Sequence, residues 1–151
     1  MIISMLDEVA WLFNLRGSDI DYNPVFFAYA VVTPDSATLY IDAKKLTEDV
    51  KAHLGGDVKI APYEDIFRHI RGLGEGINAD SVGGKIFCSN KTSWALTLSL
   101  GENKVTEGTS YIHTYGPLCG CIVSFFGGWC VLGYRGLICF RTVAGTSCEG
   151  C

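Results

Sequence analysis

Three adjacent carboxylate pairs, Asp7-Glu8, Glu48-Asp49 and Glu64-Asp65, are the first candidates for chemistry in this 151-residue chain. Clustered carboxylates can bridge two divalent cations and activate a water for hydrolysis. Each pair, however, falls in a segment with helical spacing, and sequence neighbours on a helix point in different directions. Solvated helix faces and caps are the reading this placement supports. Thiols offer a second chemistry. Cys119-Gly120-Cys121 and Cys148-Glu149-Gly150-Cys151 supply four sulfurs, enough for a tetrahedral zinc site. One pair has a single intervening residue, so the two-fold C-x-x-C spacing of a zinc site is missing. Cys88 ends an apolar run without a cationic neighbour, and is expected as a small core residue and not as a nucleophile. Gly72, Gly74 and Gly76 form a G-x-G-x-G string. It follows a helical pattern, whereas a phosphate-cradling loop follows a strand.

The elements that would position these groups are legible over residues 1–108. Ile2 to Met5 is a short apolar run fit for a buried strand. Ser4 is a candidate cap for a helix carrying Val9, Leu12 and Phe13 at helical spacing, which should stop near Asn14–Gly17. Ser18 to Pro24 reads as a polar loop. Phe26–Thr33 and Ala37–Asp42 flank a Pro34-Asp35-Ser36 turn and predict an antiparallel hairpin. Lys44 to Leu54 places Leu46, Val50 and Leu54 on one helical stripe, closed by Gly55-Gly56. A strand at Val58–Ala61 and a helix opened by Pro62, with Ile66, Phe67 and Ile70 facing inward, follow. Gly72 to Gly84 is expected as a loop, Lys85–Cys88 as a strand and Ser93–Leu100 as a short helix closed by Gly101. Trp11 and Trp94 lie on apolar helix faces and are expected in the core. Strands alternating with helices around one hairpin predict an α/β fold, a mixed sheet flanked by helices.

The chain is long enough for one domain with a real core. Its hydrophobic fraction of 48% is high for such a domain, and it hides a break in composition. Residues 1–108 carry 10 Lys/Arg against 15 Asp/Glu, while residues 109–151 carry only Arg135, Arg141 and Glu149. Six of the seven cysteines lie in that second part, together with eight glycines that disfavour regular structure. A net charge of −4 offers no basic footprint for a nucleic-acid partner. Neither a basic n-region nor a long apolar h-region follows Met1, so no signal peptide is read and a cytoplasmic location is the default. Ile122 to Phe140 has 19 residues, near the minimum for a membrane span. Arg135 and the glycines inside it are costly there, so a membrane association is disfavoured. Disulfides are disfavoured by a reducing cytosol.

The run Leu6–Asp19 (LDEVAWLFNLRGSD), continued by Asn23–Ala30 (NPVFFAYA), Ala37–Asp42 (ATLYID) and Pro62-Tyr63, resembles the second domain of eukaryotic-type aminopeptidase P, the Xaa-Pro aminopeptidases. Ser89–Leu96 (SNKTSWAL) is similar to fungal members in particular. The resemblance covers residues 1–105 and implies a creatinase N-terminal-like domain. Residues 106–151 then form an irregular, aberrant Gly/Cys-rich hydrophobic tail. A translated intron, a frameshift or a misjoined gene model is the simplest account of it. Full-length members, by this resemblance, carry a separate catalytic domain with two manganese ions and remove an N-terminal residue that precedes proline. Their metal ligands sit in motifs absent here, and His53, His69 and His113 match none of those positions.

The resemblance therefore implies no catalytic and no metal-binding residue in this chain, no cofactor of its own, and no peptidase activity from it alone. The expected partner is the catalytic domain of the same polypeptide, with a homodimer possible for the full-length family. Arg16, Asp19 and Asn23 sit in the loop that the resemblance places near the interdomain cleft, and are the candidate site residues. A helix-end role for Arg16, where a cation favours the dipole, is the local alternative. Two rival readings remain: a creatinase-like protein-binding module without enzymatic activity, and a membrane-tethered domain using the tail.

Overall fold

The computed structural model describes residues 1–77 and 84–112, together with the backbone of residues 141–142. In chain order the elements are β1 (Ile2–Ile3), α1 (Leu6–Phe13), β2 (Leu15–Arg16), β3 (Ala28–Val32), β4 (Ala37–Ile41), α2 (Glu48–Leu54), β5 (Val58–Ala61), α3 (Ile66–Gly76), β6 (Ile86–Ser89), α4 (Trp94–Leu100), β7 (Val105–Gly108) and β8 (Arg141–Thr142). Six strands form one mixed sheet in the order β5-β4-β3-β1-β6-β7. Only the bonds of β3 to β1 and β4 are antiparallel, so β3 runs against the other five. The predicted hairpin is present, with Tyr29 opposite Tyr40 and Thr33 N donating to Ser36 O at 2.9 Å across its turn. β2 and β8 pair in parallel as a separate ribbon.

Strand alternation divides the core in two, because successive side chains point to opposite faces. Ile3 of β1, Ala28, Ala30 and Val32 of β3, and Leu39 and Ile41 of β4 pack with Val9 and Phe13 of α1 and with Val50 and Leu54 of α2. Ile2, Val31, Tyr40 and Cys88 point the other way, against Ile66 and Ile70 of α3 and Leu96 and Leu100 of α4. The Leu46–Val50–Leu54 stripe is buried as its spacing predicts.

Several local expectations are corrected. Ser4 does not cap α1: the cap position is Met5, in extended conformation and without a side-chain bond. The left-handed residue closing α1 is Asn14, at φ 52°, and not Gly17. Asn tolerates that conformation better than most residues. Gly17 serves a different need, since a Cβ there would lie 2.6 Å from the Phe26 Cβ. α2 starts later than its stripe, at Glu48, with Thr47 Oγ1 accepting from Val50 N at 3.3 Å. A 3₁₀ turn at Ala43–Lys45 precedes it.

The segment expected as a loop from Gly72 is instead helix as far as Gly76. Gly74 explains the choice of residue: a Cβ there would sit 2.3 Å from the Leu100 carbonyl oxygen. Glycine lets the backbones of α3 and α4 touch, which outweighs its poor helix propensity. Trp11 and Trp94 are not core residues; they are 36% and 63% exposed. A strand not expected from the sequence, β7, extends the sheet beyond β6, and Ile112 packs partly buried against the core.

Candidate functional site

The loop between β2 and β3 is folded back on itself by its own backbone. Asp19 N donates to Val25 O at 3.2 Å, Asn23 N to Ile20 O at 3.2 Å and Val25 N to Asn23 O at 2.8 Å. Tyr22 takes a positive φ of 62° at the tip and is fully exposed. This geometry turns the Asp19 carboxylate inward, where it accepts from the Phe27 N–H at 2.7 Å and pairs with the Lys45 ammonium. Burial pushes the Asp19 carboxyl up, but the Lys45 hydrogen bond, the Phe27 N–H and the Lys45 charge together outweigh it and hold the pKa below 3.8. The Lys45 ammonium also lies 5.5 Å from the centre of the Phe27 ring. Such a cation over a ring face is attracted by the ring quadrupole.

The three residues singled out in sequence are thus separated in role. Asp19 is the corner's anchor, and its carboxylate partners are Lys45 and the Phe27 amide. Arg16 is half-buried on β2, paired through its backbone with Thr142. Asn23 is exposed at the loop tip and acts through its backbone. Lys45 and Phe27 complete the corner and were not legible as its members. Lys45 is 26 residues from Asp19, and no local pattern links them.

Beside this corner, at the carboxyl ends of β4 and β5, lies a groove of about 650 Å³. Phe27, Ile41, Lys45, Pro62 and Tyr63 line it. The Tyr63 ring stacks on Tyr29 at 5.0 Å. Burial, then the Tyr29 hydrogen bond, push the Tyr63 hydroxyl up to about 12, so it keeps its proton at neutral pH and can donate as well as accept a hydrogen bond.

Several other reactive groups are engaged in local structure. Glu48 pairs with Lys51 and Asp65 with Arg68, each at 2.8 Å along its own helix. Asp42 accepts from Lys44 N at 3.0 Å and caps the 3₁₀ turn. His53 Nε2 donates to the Phe13 carbonyl at 3.1 Å, tying α2 to the end of α1. His69 Nδ1 meets the Tyr40 hydroxyl. Cys88 is buried, as expected of a core thiol. Burial pushes it up to about 11, the chain's terminal ammonium pulls it down and Glu107 pushes it up further, so it is not a thiolate at neutral pH. Among the described residues no group of three or more His, Cys, Asp or Glu could hold a metal ion. No helix among them is long and apolar enough to cross a membrane. The four-thiol arrangement at Cys119, Cys121, Cys148 and Cys151 and the apolar run 122–140 lie outside the described residues.

Fold and site together define a helix-flanked mixed-sheet domain whose best-formed polar feature is a salt-bridged corner beside an aromatic groove. Residues 1–115 match the creatinase/prolidase N-terminal domain family, and the chain belongs to it. Three curated relatives bear the name "Probable Xaa-Pro aminopeptidase P". That of Paracoccidioides lutzii is 56% identical over 118 residues, 74% of this chain and 19% of the relative. Those of Aspergillus niger and Aspergillus clavatus are 57% identical over 115 residues and 58% identical over 110 residues, covering 74% and 72% of this chain and 19% and 17% of theirs. The chain therefore spans about a fifth of the length of the curated relatives it matches. The crystal structure of an X-prolyl aminopeptidase from Caenorhabditis elegans, described as a cytosolic enzyme with a di-nuclear active site, superposes with a TM-score of 0.69. It is 32% identical, over 75% of this chain and 18% of that one. The resemblance read from Leu6–Asp19 and the runs after it, and the mixed-sheet fold it implies, are thereby confirmed.

Proposed function

We propose that this chain supplies a non-catalytic domain of a Xaa-Pro aminopeptidase-type polypeptide, and that it has no peptidase activity alone. The observation that carries this reading is the donor set. A di-nuclear hydrolase needs carboxylates shared between two cations. Here the described carboxylates are dispersed, and Asp19, Asp42, Glu48 and Asp65 are each engaged by a neighbouring amide or cation. These residues do not fit a pair of metal ions. The manganese of the full-length enzyme belongs, on this reading, to a catalytic domain elsewhere in the longer polypeptide. The domain reaches past β7 to residue 112, and the Asp19 corner with Arg16 and Asn23 faces that catalytic domain. Its setting is the cytoplasm, and neither nucleic acid nor membrane is its partner.

Manganese titration followed by calorimetry tests the donor-set argument. The expected outcome is no saturable heat at millimolar metal. Saturable binding of two ions per chain would contradict it.

A further inference from the structure

At the β4–β5 end of the sheet the connections leave for opposite faces. From β4 the chain goes to α2, whose Val50 and Leu54 pack in one core. From β5 it goes to α3, whose Ile66 and Ile70 pack in the other. β4 and β5 are parallel neighbours, so a crevice opens outside their carboxyl ends. Open α/β sheets bind ligands at such a point. The groove of about 650 Å³ lies there, and small-molecule sites commonly enclose about 300–1,000 Å³. Its floor is Ile41, which is wholly buried. Its walls are Phe27, Pro62 and Tyr63. Phe27 is 47% exposed, and Tyr63 is braced by the Tyr29 ring at 5.0 Å.

The charges around the groove narrow the ligand. Lys45 is taken by Asp19, and Asp42 accepts from Lys44 N as the cap of the 3₁₀ turn. Lys44, on the turn after β4, and Glu64, on the turn after β5, line the same groove. Neither has an ion-pair partner among the described residues, and they do not pair with each other. A phosphate is not matched, because the amides that could cradle it are occupied. Lys44 N and Lys45 N donate to Asp42, Asp65 N donates to Pro62 O at 3.1 Å, and Thr47 caps α2. A bare organic cation is not matched either, since the Lys45 ammonium already stands over the Phe27 ring. A molecule with a flat apolar ring and one charge of each sign satisfies walls and rim together. We propose that this groove is a binding site for an aromatic α-amino acid, with its ring against Phe27 and Tyr63, its carboxylate on the Lys44 ammonium and its ammonium on the Glu64 carboxylate. Aromatic pairs stabilise beyond the area they bury, and charge-assisted hydrogen bonds at two ends fix the orientation. The site does not depend on whether the chain is catalytic.

Titration of the isotope-labelled 151-residue chain with L-tryptophan, followed by amide chemical shifts, tests the assignment. Saturable shifts are expected around residues 41–45 and 63–64, with a Kd of about 1 mM for so open a groove. Three comparators each remove one feature: indole-3-propionate lacks the ammonium, tryptamine the carboxylate and L-alanine the ring. Each is expected to bind about tenfold more weakly, as the loss of one charge-assisted bond or of the ring contact implies. Lys44→Gln should erase the preference for L-tryptophan over tryptamine, and Glu64→Gln that over indole-3-propionate. Both side chains are exposed, so neither variant should change the melting temperature. The absence of saturable shifts, or shifts centred elsewhere in the chain, would overturn the site. Equal affinity of the wild type for L-tryptophan and the comparators, or variants that keep both preferences, would overturn the choice of ligand.

Discussion

Among the described residues the core on the α1–α2 face of the sheet holds fifteen buried apolar residues, strand residues included, and the core on the α3–α4 face holds eight, so the second is the smaller. The first face is also tied by polar contacts, from Lys45 in the 3₁₀ turn before α2 to Asp19 and from His53 at the end of α2 to the Phe13 carbonyl. The second is closed by backbone proximity at Gly74 and Leu100, with the Lys104 ammonium bonded to the Gly74 carbonyl. The difference teaches that one face is finished within the chain, with charge turned outward. The other turns charge outward along α3 but not along α4, whose Trp94 and Leu98 are exposed.

Core truncation should separate the faces most strongly. Phe26→Ala, at a wholly buried ring of the first face, is expected to cost about 4 kcal/mol, and Ile70→Ala on the second about 2–3, because the ring leaves the larger cavity in the larger core. Urea unfolding of the two variants checks this, and a reversed order would break the contrast.

The glycine contact gives an effect of smaller size and opposite signs. Gly74→Ala drives a Cβ against the Leu100 carbonyl and should destabilise by about 2 kcal/mol despite alanine's better helix propensity. Gly72→Ala, on the same helix with nothing within 4 Å, should stabilise by about 0.5–1 kcal/mol. Thermal melts that moved both variants in the same direction would remove Gly74 as the closure of this face.

Cys88 makes the second face sensitive to alkali. Its thiol holds its proton to about 11 in the folded chain, against 9.0 for an ordinary thiol. The unfolded thiol ionises first, so unfolding gains as pH rises from 9 towards 11, and stability falls by about 2 kcal/mol across that window. Tyr63, raised to about 12, adds a fall of the same sign above pH 10. Cys88→Ala should lower stability at neutral pH but flatten the loss between pH 9 and 11, as measured by unfolding at fixed ionic strength. An unchanged slope would show that the thiol is not desolvated.

The smallest effect is at the polar corner of the first face. Lys45→Met, which leaves the Asp19 carboxylate with only the Phe27 amide, is expected to cost about 1 kcal/mol near neutral pH. The folded Asp19 pKa lies below 3.8, so this stabilisation is present above that value and is lost as pH falls through the lower folded pKa. Wild type and variant should therefore converge in acid. A constant difference would assign the cost to lost packing over Phe27.

Much of this fold is legible in residue types, because hairpin, helical stripe and buried strands are local patterns. Leu46, Val50 and Leu54 announce their face by spacing alone. Where expectation and structure part, the deciding contact is distant in sequence. Gly74 looks like a loop residue until Leu100 is placed against it, and Gly17 looks like a helix stop until Phe26 is. Trp94 reads as core because its helix is apolar throughout, yet a helix this apolar has more face than its own domain can cover. Asp19 could be chosen from its loop, and the Phe27 amide reaches it through that loop's own fold, whereas Lys45 becomes its partner only through the turn that brings β4 back past β3.

The most direct test of the central claim is hydrolysis of an Arg-Pro-Pro peptide by the purified chain, with and without added manganese. The account predicts no release of arginine in either condition. Manganese-dependent release, absent from a mock purification, would contradict it and place a catalytic site within these 151 residues.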